Sequence, residues 1–289
     1  MENSKITSLW EEYQSLLYSL AYQMMGSVSD AEDVVQDVFT RLTTHDLQYE
    51  SNMKNFLCKL VANRCLDILK SASKKREIYV GPWLPEPVIT EEDPSNQVLI
   101  KSDLSYALLH LLENLNPIER AIFILREVYV FDYPYIAGVV QKKEVTCRKI
   151  LSRAKMKLEN VEETTDRANH DTVVLSFIEA FQQADLNRLI RLLHDDVVYY
   201  ADGGGKKVAA LRPIIGKVNV FSLLDFLIKK KDSVHLSVGS VNQRKGLMIK
   251  EESNELSVMT FNIKGNQVDK IFYMVNPDKV RMSTLWASK

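Results

Sequence analysis

The feature that most restricts this chain is a break in its first third, where Gly81, Pro82, Pro85, Pro87 and Pro94 fall within fourteen residues, interleaved with Glu86, Glu91, Glu92 and Asp93. Proline lacks an amide hydrogen and neighbouring acids repel one another, so this composition resists both helix and sheet. The chain must divide here, across a linker of limited flexibility. Within the linker, Trp83-Leu84 is an apolar pair that a pure spacer does not need, to be read either as a docking point or as an incidental hydrophobe.

Before the linker the pattern is helical. Leu9, Tyr13, Leu16, Leu17, Leu20 and Met24 recur every three or four residues, an amphipathic helix ending near Gly26. A second helix is expected from Ser29, with Ser29 and Glu32 as a capping box, carrying Val34, Val35, Val38, Phe39 and Leu42. A third, from about Met53 to Ser73, turns Phe56, Leu57, Leu60, Val61 and Ile68 inward. After the linker, helices are expected at 103–114 and at 117–130, the latter with Asn116 as cap and Pro117 in its first turn. A short helix near 135–140 and a longer one over 143–159 follow, the second bearing Lys143, Thr146, Arg148, Lys149, Ser152 and Arg153. Two helices joined by a tight turn, the second rich in basic and hydroxyl side chains, have the form of a helix-turn-helix DNA reader.

Beyond about Asn160 the texture changes. An amphipathic helical region over 171–193, broken near Ala184-Asp185, precedes strand-like runs at 197–200, 234–241, 247–250, 256–263 and 268–275. Turn residues Gly246, Ser253-Asn254 and Gly265-Asn266 separate the later runs, a hairpin signal. The expectation is an α+β domain in which helices cover one face of an antiparallel meander. The chain is therefore divided into a helical bundle (1–76), the linker (77–102), a helix-turn-helix unit (103–160) and an α+β domain (168–289).

At 46% hydrophobic and 26% charged residues, the composition excludes a disordered or collagen-like chain. No apolar run reaches membrane-spanning length and Met1-Glu2-Asn3-Ser4-Lys5 does not open a secretory signal, so a cytoplasmic location without membrane association is expected. Cys58, Cys65 and Cys147 lack a CxxC pair or neighbouring histidines and read as reduced thiols, with no metal or cofactor site indicated. The net charge is -1, so the chain as a whole lacks the basic signature of nucleic-acid binding. Its charge is nevertheless segregated. Lys54, Lys59, Arg64, Lys70, Lys74, Lys75 and Arg76 face one acid, Asp67; Lys142, Lys143, Arg148, Lys149, Arg153, Lys155 and Lys157 face one acid, Glu144. Between them in character stand Asp30, Glu32, Asp33, Asp37, Asp46 and Glu50 against Arg41. Each run alone could be a solvated helix face; together they suit a protein that holds DNA and a basic protein partner at once.

The order of these pieces resembles a known family. Gly26 to Phe39 (GSVSDAEDVVQDVF) is similar to region 2 of the extracytoplasmic-function (ECF) sigma factors of RNA polymerase, Asn55 to Lys70 to the segment that opens and reads the minus-10 element, and Leu115 to Leu158 to region 4, which reads the minus-35 element. YVGPWLPEP (79–87), DGGGK (202–206) and NPDK (276–279) mark the subgroup with a fused SnoaL-like domain. The resemblance implies two all-α domains followed by an α+β SnoaL-like, NTF2-like cone, acting as a sigma factor that binds core RNA polymerase and promoter DNA, with no enzymatic activity. It implies that Asp30, Glu32, Asp33 and Asp37 dock on the polymerase. Asn63, Arg64, Asp67 and Lys70 would contact the minus-10 element, and Lys143, Thr146, Arg148, Lys149, Ser152 and Arg153 the minus-35 element. Lys155 and Lys157, further along that helix, would meet DNA backbone. Two departures stand out: the helix before the recognition helix is about two residues short, and Gln141 holds the turn position where glycine is usual, workable only if the turn avoids positive φ or accepts a cost.

In the C-terminal domain, Asp202 is the first candidate for pocket chemistry, with His194 and His235 behind it, and the alternative function is a SnoaL-like pocket enzyme of isomerase, cyclase or hydrolase type with a helical DNA-targeting module. Asp-Gly-Gly-Gly is, however, a turn composition in which the carboxylate accepts backbone hydrogen bonds. The preferred expectation is a regulatory contact in which Asp202, Gly203, Gly204, Gly205, Lys206 and Asn276, Pro277, Asp278, Lys279 meet Trp83, Leu84 and Pro85, so that no separate anti-sigma factor is required. A small-molecule ligand of the pocket is left open.

Overall fold

The computed structural model describes residues 2–42, 52–76, 79–90, 104–158, 167–230 and 234–280. Asp46, Glu50, Glu91, Glu92, Asp93 and Pro94 lie outside them, as do the side chains of Lys74, Lys75 and Arg76. The N-terminal bundle is α1 (Glu2–Met25), α2 (Val28–Leu42) and α3 (Met53–Arg76). Leu17, Leu20 and Met24 of the α1 stripe are fully buried with Val34 and Val35 of α2 and Leu57 and Val61 of α3. The start of α2 departs from expectation. Ser27, not Ser29, caps it, its Oγ accepting from the Asp30 N–H at 3.2 Å. The carboxylate of the cap comes not from Glu32 but from Glu86 of the linker, which accepts from the Val28 N–H at 2.7 Å and the Ser29 N–H at 3.4 Å.

Past the linker come α4 (Tyr106–Leu112) and α5 (Pro117–Phe123), the latter capped by Asn116 in a reciprocal box with Glu119. The helix does not stay regular to Val130: Ile124–Val128 widen into a π-helical turn capped by Tyr129, and Val130 beyond it takes φ +57°. α6 (Tyr133–Val140) starts two residues before the expected position because the Asp132 carboxylate accepts from the Tyr135 N–H at 2.9 Å and Pro134 is tolerated in a first turn. α7 (Glu144–Leu158) follows. Between them Gln141 adopts φ 54°, ψ 47°, so the turn keeps the left-handed conformation and Gln bears a cost of about 1 kcal/mol. The buried apolar residues of α1–α3 and α5–α7 form one continuous core, not two.

The C-terminal domain contains α8 (Arg167–Gln182), α9 (Leu186–Leu192), β2 (Leu193–Asp202), β3 (Ile214–Ile215), α10 (Lys217–Ile228), β4 (Val234–Val241), β5 (Arg244–Glu251), β6 (Leu256–Lys264) and β7 (Gln267–Met274). With β1 (Ile89–Thr90) they make a sheet of order β1-β4-β5-β6-β7-β2-β3. β4 to β7 are the expected antiparallel meander, but β2 lies parallel to β7. Gly246 is not a turn residue. The turn is Asn242-Gln243, both at positive φ, while Gly246 sits in β5 opposite Gly239, where an added Cβ would meet Val241 at 2.9 Å.

Both faces of the sheet are covered. Met259, Phe261, Ile263 and Ile271 point to α8, α9 and α10; Val258, Phe272 and Met274, one residue out of step, point to a second core shared with Leu84, Ile89, Tyr106 and Ala107. The linker that composition marked as resisting sheet thus adds β1 to the edge strand β4, pairing Ile89 with Val241.

Candidate functional site

The linker is gripped through its backbone as much as through its side chains. Leu84 is fully buried, worth about 1.5–3 kcal/mol of hydrophobic stabilisation. Its N–H donates to Asp202 Oδ2 at 2.9 Å, and its carbonyl accepts from Lys279 Nζ at 2.6 Å. Lys279 also pairs with Asp202 Oδ2 at 2.8 Å and lies 4.0 Å from the Trp83 ring centre and 4.9 Å from that of Tyr79. The Tyr79 hydroxyl donates to Asp202 Oδ1 at 2.6 Å and accepts from Asn276 Nδ2 at 2.9 Å. Burial, reinforced by the Asp202 carboxylate, pushes the Tyr79 phenol far up, so it stays a donor.

Glycines make this approach possible. Gly204, at φ +57°, lies so close to Asn276 that a Cβ would stand 2.2 Å from Nδ2, and a Cβ on Gly26 would stand 2.9 Å from the Trp83 ring. Lys206 pairs with Asp278 at 2.5 Å and closes the DGGGK turn onto NPDK. The Pro85 carbonyl accepts from the Tyr106 hydroxyl at 2.6 Å. Glu86, besides capping α2, donates its N–H to the Gly26 carbonyl at 2.8 Å and accepts from the Tyr22 hydroxyl at 2.6 Å. Tyr22 in turn accepts from Asn242, which also holds Val88 by both its amide oxygen and its N–H. The linker therefore ties α1, α2 and α4 to the sheet.

Asp202 serves the turn and the linker together. Its Oδ1 accepts from the Gly204 N–H at 3.0 Å, the turn bond anticipated from composition, while four partners in all enclose the carboxylate. A cavity of about 430 Å³ among α8, α10, β4, β5 and β7 is lined by Phe181, Leu227, Leu236, Ile249, Tyr273 and Lys230 among others; Asp202, His194 and His235 do not line it. That separates Asp202 from the pocket chemistry considered for it.

On the helical side, Asp30 and Asp33 are exposed and Glu32 and Asp37 half-buried along α2. Burial, then Asp33 and Glu86, raise the Glu32 carboxyl above its ordinary value. Asp37 pairs with Arg64 of α3 at 2.6 Å and with Arg41 at 3.2 Å. The acidic row and the Asn63, Arg64, Asp67, Lys70 row are therefore joined at one point; Lys70 stands 3.9 Å from Asp67 and both are exposed, with Asn63 half-buried.

Lys143, just before α7, and Thr146, Arg148, Lys149, Ser152 and Arg153 within it are all exposed, and Cys147, Leu151, Ala154 and Leu158 hold the helix to the protein. Arg148 is partly committed, its guanidinium 3.9 Å from the Tyr133 ring centre. The two terminal lysines do not project freely toward a DNA backbone. Lys155 pairs with Glu127 at 2.6 Å, and Lys157 donates to both oxygens of Glu119 at 2.7 and 2.8 Å. Desolvation works to raise the Glu119 carboxyl, but Lys157 and the Asn116 N–H outweigh it and hold it below its ordinary value.

Sequence reasoning passed over several residues of this assembly. Arg120 is buried, donating to the carbonyls of Leu112 and Met24 at 2.9 Å each and pairing with Glu113 at 2.7 Å, so it bolts α5 to the end of α1. Its signal was a cation among Ala121, Ile122, Ile124 and Leu125. His110 of α4 packs on Tyr200 and Phe272 at 4.8 and 5.1 Å between ring centres; burial pushes it down to about 4, opposed by Glu113 and assisted by Lys270. Glu86, Tyr22 and Asn242 carry no local pattern, because their partners are distant in sequence.

An acidic helix, a cation-bearing helix and a helix-turn-helix with an outward basic face, joined through a linker held by a curved sheet, define a multidomain transcription factor. Residues 9–75 match the family model of Sigma-70 region 2, and residues 105–158 that of Sigma-70, region 4. The chain is 32% identical over 230 residues to the ECF RNA polymerase sigma factor SigJ of Mycobacterium tuberculosis, covering 77% of this chain and 73% of that one. It is 30% identical over 201 residues to a probable ECF sigma factor SigI of the same organism, covering 68% and 69%. The crystal structure of M. tuberculosis SigJ superposes with a TM-score of 0.77 at 27% identity, over 94% of this chain and 97% of that one. The chain belongs to the ECF RNA polymerase sigma factors, with two helical sigma domains followed by a SnoaL-like cone. Among the described residues no helix is long and apolar enough to cross a membrane.

Proposed function

We propose that this sigma factor carries its own regulator, the C-terminal domain, which acts by gripping the linker. The observation that carries it is the clamp on Leu84: both backbone groups of one linker residue are bound by the buried Asp202–Lys279 pair while Glu86, two residues on, caps α2. Shifting the clamp therefore acts on the start of the helix that bears Asp30, Glu32, Asp33 and Asp37. These acids dock on a basic surface of core RNA polymerase, with opposite charge steering the encounter. Asn63, Arg64, Asp67 and Lys70 contact the minus-10 element; Lys143, Thr146, Arg148, Lys149, Ser152 and Arg153 contact the minus-35 element.

The functional division is 1–76, 77–102, 103–160 and 168–289. Regulation is internal, without a requirement for a separate anti-sigma factor, and the protein works in the cytoplasm beside the polymerase. It is a regulator and not an enzyme, a view supported by the enclosure of Asp202 by protein groups. Transcription with core polymerase is the test: Asp202→Ala should alter output by more than threefold without any small-molecule turnover, and an output equal to that of the unaltered chain would refute the regulatory role.

A further inference from the structure

α7 carries two stripes of identical spacing on opposite sides. Cys147, Leu151, Ala154 and Leu158 are buried against the protein. Val145, Lys149, Ser152 and Met156 repeat the same steps two residues earlier, and at 3.6 residues per turn a two-residue offset is a rotation of about 200°. This second stripe therefore faces directly away from the domain, and all four of its residues are exposed. It opens on an apolar residue: Val145 is 64% exposed, in the first turn of the helix, beside Lys142, Thr146 and Lys149.

A recognition helix presents its outward face to the major groove and its N-terminal residues to base edges. The apolar group displayed in that groove is the C5-methyl of thymine. Arg148 leans aside onto Tyr133 and toward Glu144, 3.9 Å away, which leaves Val145 and Lys149 foremost in the first two turns. We propose that Val145 is a specificity-determining residue that packs on a thymine methyl in the upstream promoter element. This rests on α7 being the reader of that element. Lys149 supplies charge at the same place, so a solvated basic face would be expected to carry a polar residue where Val145 stands. Burying one methyl corresponds to about a fourfold preference for the base that bears it.

The test uses holoenzyme assembled from the full chain and core RNA polymerase to select duplexes randomised across the upstream window. One library contains thymine and the other uracil in its place on both strands. The expected result is a position where thymine is enriched about fourfold more than uracil, with the difference abolished by Val145→Ala while selection at other positions persists. Equal enrichment of thymine and uracil everywhere, or a methyl preference unchanged in Val145→Ala, would overturn the assignment of Val145. No selection anywhere in the upstream window would instead overturn α7 as the reader, and Val145 with it.

Discussion

Removing the Asp202 carboxylate should release the linker. In Asp202→Ala, Lys279 Nζ, on a side chain 8% exposed, keeps its hydrogen bond to the Leu84 carbonyl at 2.6 Å and loses the buried carboxylate paired with it at 2.8 Å. Leaving one member of a buried ion pair uncompensated costs about 3–5 kcal/mol. The Trp83 and Tyr79 rings beside the ammonium offset about 1 kcal/mol of that. The remainder, about 3 kcal/mol, is about a hundredfold in the opening equilibrium of the linker. Amide hydrogen exchange over residues 79–88 at pH 7, the Leu84 N–H above all, should accelerate by that factor. Exchange within about threefold of the unaltered chain would refute the reasoning. Adding Lys279→Met removes the orphaned charge and keeps the stem, and should restore at least tenfold of the lost protection; a double variant as exchange-prone as Asp202→Ala would show that the stranded cation is not the cause.

Four further substitutions have signs fixed by the structure. Glu86→Ala removes the carboxylate from the α2 cap while Ser27 stays, and should cost about 1–2 kcal/mol in denaturant unfolding, with no loss contradicting the role of Glu86 in the cap. For His110, the docked state holds the imidazole neutral with its value lowered to about 4, whereas a state with α4 off the sheet protonates near the ordinary 6.5. Its contribution is full above about pH 7, is lost as pH falls toward 4 and is constant below, about 1.4 kcal/mol being gone at pH 5.5. His110→Phe should flatten that part of the melting-temperature profile between pH 7.5 and 5, and an unchanged slope would refute the assignment. Val130→Gly and Gln141→Gly relieve left-handed backbone at φ 57° and 54° and should each stabilise by about 0.5–1 kcal/mol in the same unfolding assay; destabilisation by either would contradict the strain.

What could be read from the sequence was whatever repeats locally. The α1 and α7 stripes follow the helical period, and the β6–β7 hairpin announces itself at Gly265-Asn266, so those elements were legible without any partner in view. β1 was not, because Ile89 and Thr90 are too few to show a period and their strand character comes from Val241 and Ser240 across the ladder. α10 escaped for another reason: Val218, Val220, Phe221 and Phe226 favour strands by type, and burial of Val220, Leu224 and Ile228 on one face decides for helix. At Asp202 the composition disclosed the turn and the fusion motifs implied a contact, but not the convergence of Tyr79, Leu84 and Lys279 on one carboxylate. The false capping box at Ser29-Glu32 shows the same limit, since the group that caps α2 arrives from the linker.

The most direct measurement of the sigma role is gel filtration of the full chain with core RNA polymerase at micromolar concentration and low salt. Co-elution that is abolished by Asp33→Lys with Asp37→Lys is the predicted result and places α2 at the polymerase interface. Absence of co-elution by the unaltered chain would contradict polymerase binding itself, and co-elution indifferent to the charge reversals would contradict the place assigned to α2.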